Sequence, residues 1–159
     1  MIQEKKITLP RVRQVVIAYV AAVVVTYVLA SIFQSLAVLV AMNQAGAGFT
    51  AGVWLKTILH DLYGFTFLGY ASYGLGVLIG FAIAMPTAAL IHKFSGLPRG
   101  FLYPLAGATA IATEMYIIKA SFYDTTIFPG TRGMSGFVLQ LLAGALGGLI
   151  FAKLSKQQE

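Results

Sequence analysis

The sequence predicts an all-α fold: a bundle of four transmembrane helices with a short interfacial helix between the first and second spans. Of its 159 residues, 58% are hydrophobic and only 10% are charged, whereas soluble domains carry about 25% charged residues. The mean hydropathy is +0.83. Four separate apolar segments are long enough to cross the membrane as helices. Crossing about 30 Å of hydrocarbon takes roughly 20 residues. The length therefore predicts a single integral membrane domain spanning residues 1–159.

The predicted spans cover residues of about 15–40, 65–91, 101–121 and 136–154. An alternative interpretation makes residues 1–41 a cleaved signal peptide, because a basic stretch precedes the apolar one. The apolar stretch exceeds the roughly 7–15 residues of a signal-peptide core, which favours a retained first helix.

Basic residues are unevenly divided between the two ends of these spans. Because loops rich in Lys and Arg stay in the cytoplasm, the division predicts cytoplasmic N and C termini in a bacterial-type inner (plasma) membrane. Basic residues placed at span ends also argue against a nucleic-acid partner. The predicted cytoplasmic side carries Lys5, Lys6, Arg11, Arg13, Lys93, Arg99, Lys153 and Lys156, and the other side carries Lys56, Lys119 and Arg132.

Residues of about 53–63, within the stretch VWLKTILHDLY, have the pattern of an interfacial helix. Leu55 and Leu59 share one side, while Lys56 lies mostly opposite, and Trp54 and Tyr63 are the amphipathic residues that favour a membrane surface. We expect this helix on the outer leaflet. The alternative is that the second span simply begins earlier.

Small residues recur every four positions in two of the predicted spans. Helices in lipid associate through close backbone approach and polar contacts. Burial of apolar side chains between them contributes little free energy, because lipid tails are equally apolar. The ridges therefore predict tight helix packing, either within a homo-oligomer or within a larger membrane complex. They comprise Ser72, Gly76, Gly80 and Ala84 in the second span, and Gly136, Gly144 and Gly148 in the fourth.

Glu114 is the carboxylate within the third predicted span. It continues a four-residue stripe from Ala106 and Ala110, so it should face the bundle. It lies about 20 Å from the predicted cytoplasmic edge and about 10 Å below the outer one. A carboxylate at that depth is either protonated or paired. Arg132 is the favoured partner, because Lys119 lies about 140° around the helix.

Other polar residues are expected near Glu114 in the outer half of the membrane. They predict a pocket that either binds a proton, cation or other ligand, or serves as a structural pair holding the third and fourth helices in register. The candidate cluster comprises Glu114, Arg132, Gln34, His60, Asp61, Gln140, Tyr70 and Tyr73.

Several classes of chemistry lack the necessary residues. The chain has no cysteine, which removes thiolate metal sites and thiol redox chemistry. His60 and His92 fall on opposite sides of the predicted membrane, so one ion within a chain cannot bind both. The sequence predicts no metal, no cofactor and no catalytic residue set.

The small-residue ridges and the lack of a catalytic residue set favour a non-catalytic accessory or assembly subunit. Such a subunit would be embedded in the lipid bilayer and act through helix packing. One alternative is a small oligomeric transporter or ion-coupled permease component that uses Glu114. A second alternative is a membrane enzyme acting on a lipid or quinone, which requires Glu114, His60 and Arg132 to lie together.

Overall fold

The computed structural model describes residues 9–67, 71–121, 129–131 and 133–155. Those residues form five α-helices and one short 3₁₀ turn, with no strand among them. The helices are α1 (Leu9–Gln44), α2 (Ala51–Phe67), α3 (Ala71–Ser95), α4 (Arg99–Ser121) and α5 (Met134–Ser155), and the 3₁₀ turn covers Pro129–Thr131.

Four of the helices are long and apolar enough to cross a membrane, which confirms the all-helical prediction with four candidate spans. The spans are Val12–Gln44, Tyr73–Ser95, Arg99–Ser121 and Met134–Ser155. Their bounds differ from the predicted ones by up to four residues, except at the start of the second span, where the difference is larger. Residues 65–67, which the sequence assigned to the second span, belong to α2, and α3 begins at Ala71. Large apolar side chains cover much of the outer surface, as expected for a protein solvated by lipid.

Glycines on α5 allow it to pack directly against the backbones of α4 and α1. A methyl group at Gly148 would overlap the carbonyl of Tyr103, and Gly144 and Gly107 are equally close to each other's backbones. On the α1 side, Gly147 lies against the hydroxyl of Thr26. α5 is therefore the central helix of the bundle, with α1 on one side and α4 on the other.

Polar side chains join the helix ends at the predicted cytoplasmic side. Arg99 Nη2 donates a 2.7 Å hydrogen bond to Ser155 Oγ, and Gln14 Nε2 donates a 2.8 Å bond to the carbonyl of Leu154. The α3–α4 turn passes through Gly96, whose φ of 69° is a conformation that glycine adopts without strain. These contacts fix the same ends of α1, α4 and α5 together.

The ridge on α3 faces α4. Gly76 lies directly beneath the carboxyl group of Glu114, and a methyl group at Gly80 would lie 3.5 Å from the Ala110 side chain. Ala84 faces the space between the two helices. On α5, Gly136 lies against the carbonyl of Gly130 in the 3₁₀ turn. The side chain of Ser72 lies outside the described residues.

Candidate functional site

A groove of about 700 Å³ lies between α3 and α4. Its α3 wall runs from Leu75 to Ile91, which are 16 positions apart in the sequence and therefore about 24 Å apart along the helix. That length covers most of the hydrocarbon thickness. The α4 wall consists of Leu102, Leu105, Ala106, Thr109, Ala110, Thr113, Glu114, Ile117 and Ile118.

The rim of the groove is apolar and exposed. Ile83 on α3 is 65% exposed, and Leu75 and Ile117 are each 56% exposed. Between these rims the floor includes Gly80 and Ala84, whose small side chains permit the close approach of another backbone. The groove is thus open toward the surroundings of the bundle and narrows onto small residues.

Glu114 lies in this groove with its hydrogen-bonding capacity unused. The residue is 7% exposed, and neither carboxylate oxygen has a hydrogen-bond partner among the described residues. Two threonines of the groove are satisfied within their own helices. Thr87 Oγ1 donates to the carbonyl of Ile83 at 2.7 Å, and Thr109 Oγ1 to that of Leu105 at 3.0 Å. An unpartnered buried carboxyl group is costly in hydrocarbon, so Glu114 needs a proton or a donor.

Behind Glu114, a chain of buried hydrogen bonds connects α3, α5 and α1. The hydroxyl of Tyr73 donates to Gln140 Oε1 at 2.8 Å, and Gln140 Nε2 donates to the carbonyl of Ala30 at 2.9 Å. On α3, Tyr73 lies about one turn before Gly76, which is in contact with the Glu114 carboxyl group. Gln140 thus uses both ends of its amide to hold three helices together.

The remaining described residues of the candidate cluster lie in two other places. Asp61 on α2 accepts a 2.8 Å hydrogen bond from Ser35 on α1. His60 Nδ1 is 3.8 Å from Asp61 Oδ1, and its side chain is 72% exposed. Gln34 is buried against Gly130 of the 3₁₀ turn, where its Oε1 has no partner among the described residues. Asp61 therefore belongs to an α1–α2 contact, and the exposed His60 lies beside it.

Two members of the candidate cluster, Arg132 and Tyr70, lie outside the described residues, so the predicted pairing of Glu114 with Arg132 stays a prediction. Within the described part of the chain, no group of three His, Cys, Asp or Glu residues could hold a metal ion.

The sequence predicts Tyr73, Gln140 and Glu114 in one region but does not predict the groove. Its apolar walls carry the same residue types as the lipid-facing surface, so composition alone does not distinguish Ile83 from Leu78. The sequence feature that could have indicated the groove is a pair of small-residue stripes, one on α3 and one on α4 that ends at Glu114.

The Gln140 hydrogen bonds lead to a stability prediction. Gln140→Leu keeps a similar volume but removes a donor from the Ala30 carbonyl and an acceptor from Tyr73, so we expect a loss of about 1–2 kcal/mol in the free energy of unfolding. Titration with a denaturing detergent in mixed micelles measures it. Tyr73→Phe is the matched partner: because both changes break the same bond, the double variant should lose less than the sum. Strict additivity would contradict the observed bond.

No family model, curated protein or solved structure matches this chain.

Proposed function

We propose that this protein is a non-catalytic accessory or assembly subunit of a bacterial-type inner membrane that binds another membrane protein through the groove between α3 and α4. The observation that carries the proposal is the groove itself, which runs most of a bilayer's thickness and contains the unpartnered Glu114. A site of that length and composition suits a helix better than a small polar molecule.

The floor and rim of the groove support this assignment. Small residues such as Gly80 and Ala84 allow a neighbouring helix to approach, and exposed apolar side chains such as Ile83 provide the contact area. Ion-coupled transport is the alternative role for Glu114. The length of the groove and its apolar, exposed rim favour a helix over a hydrated ion as the occupant.

We also propose that both termini face the cytoplasm and that α2 lies on the outer leaflet, as the distribution of Lys and Arg indicates. The absence of native cysteine makes single-cysteine labelling clean. Asn43 and Ser95 are both exposed and lie at opposite ends of the bundle. We expect Asn43→Cys to react with a membrane-impermeant maleimide from outside, and Ser95→Cys only after permeabilisation. The reverse labelling pattern would show that the orientation is opposite to the proposed one.

Photo-crosslinking in the native membrane tests the proposed assembly role. A photoreactive amino acid replaces Ile83 on the rim of the groove or, as a control, Leu78, which is exposed on the same helix but does not line the groove. We expect one discrete protein adduct from position 83 and none from position 78. Lipid adducts alone at both positions would remove the basis of the proposal.

A further inference from the structure

We infer that the occupant of the groove is a transmembrane helix of a different protein, carrying a Lys or Arg side chain about 10 Å below the outer membrane boundary, where it meets Glu114. This inference rests on the proposed assembly function and specifies the chemistry of the partner.

The carboxyl group of Glu114 favours a cationic side chain on the partner, because an ionised carboxylate in hydrocarbon needs an opposite charge. It lines the groove, is buried, and has no hydrogen-bond partner among the described residues. A cationic donor would supply the missing hydrogen bond and offset the carboxylate's charge. The need is mutual, because an isolated Lys or Arg at such a depth costs its own helix about 3 kcal/mol. Each helix would therefore neutralise the buried charge of the other.

A lipid does not meet this requirement. Its donors lie in the headgroup at the membrane surface, roughly 10 Å from the estimated depth of Glu114, and its acyl chains have no donor. The groove, by contrast, extends on both sides of the level of Glu114, so an occupant that fills it must cross that level. A helix fills the groove and also presents a side chain at the correct height.

A second copy of this chain is also a poor fit. Among the described residues of the four candidate spans, the basic side chains lie toward the cytoplasmic ends, apart from Lys119. Lys119 is five residues beyond Glu114 on α4, about 7.5 Å closer to the outer boundary, and it already takes part in another interaction. A copy in the same orientation would place no other described cation at the level of Glu114.

The test uses synthetic helices and the purified full chain in phosphatidylcholine vesicles. Each helix is a Leu/Ala host of about 24 residues with a polar tag that fixes its orientation. One carries a Lys about 10 Å below the outer end, a second has Leu there, and a third carries the Lys at the mirror depth in the inner half. Energy transfer between labelled protein and labelled helix measures association.

We expect the outer-Lys helix to bind about tenfold more tightly than the Leu or inner-Lys helices. With Glu114→Gln, which keeps the shape of the side chain, the three helices should bind alike. Because the comparison among helices uses the unaltered protein, it remains valid if the variant fails to fold.

Equal binding of all three helices to the unaltered protein would overturn the inference, as would a Lys preference that persists in Glu114→Gln. If energy transfer between labelled copies of this chain exceeds that between the chain and any of the helices, the groove binds a second copy and the inference is overturned. If position 83 still crosslinks to a membrane protein while the Lys preference is absent, the assembly function stands and only the cationic partner is wrong.

Discussion

Gly148→Ala should destabilise the protein by about 3 kcal/mol, near the upper end of the usual cost of overpacking. The added methyl group would overlap the carbonyl oxygen of Tyr103 and lie 2.6 Å from its carbonyl carbon and 3.0 Å from Pro104 Cα. All three are backbone atoms, so no side-chain rotation relieves the overlap. α4 and α5 must separate, and the loss of their close packing should lower the free energy of unfolding.

Gly100→Ala is the matched control on α4. Nothing lies within 4 Å of the position where its methyl group would be, and alanine is favoured over glycine in a helix by up to about 1 kcal/mol. We therefore expect Gly100→Ala to be neutral or slightly stabilising in the same detergent titration. If both variants lose the same free energy of unfolding, α4 and α5 are packed less closely at Gly148 than described.

Ala84→Leu should remove the protein from its native complex while leaving the isolated chain folded. Ala84 lines the groove, and a leucine there fills space that the partner helix needs. A bulky residue at such an interface prevents the backbones from approaching. We expect the fraction of chain in the larger species, measured by native gel electrophoresis in mild detergent, to fall at least about tenfold.

The control for this change is Ala82→Leu, the same substitution two residues earlier on α3. Ala82 is exposed and does not line the groove, so its replacement should leave the complex intact. Both variants should unfold at the same detergent concentration as the unaltered protein. Loss of the complex in both variants, or in neither, would show that assembly does not depend on the groove.

The four spans and the inward position of Glu114 followed from the sequence for simple physical reasons. Crossing a bilayer requires long apolar helices, so hydropathy identifies them. Spacing by four residues places Ala106, Ala110 and Glu114 on one face. The Tyr73–Gln140 bond was not predicted as a pair, although both residues were expected in the same region, because which polar groups meet depends on how α3 and α5 rotate against each other.

The groove could not be predicted, since its width depends on tertiary packing. The small residues of α3 and α4 predicted close helix packing but not where two helices would separate. In the structure, Gly76 and Gly80 touch α4, yet a 700 Å³ space remains between the helices.

Native mass spectrometry of the protein, released from its own membrane in mild detergent, tests most directly whether the groove binds another membrane protein. We expect a species whose mass equals the 17.0 kDa chain plus one different membrane protein, which dissociates when Ala84→Leu fills the groove. A mass equal to the chain alone, to the chain with lipid only, or to multiples of the chain would contradict it.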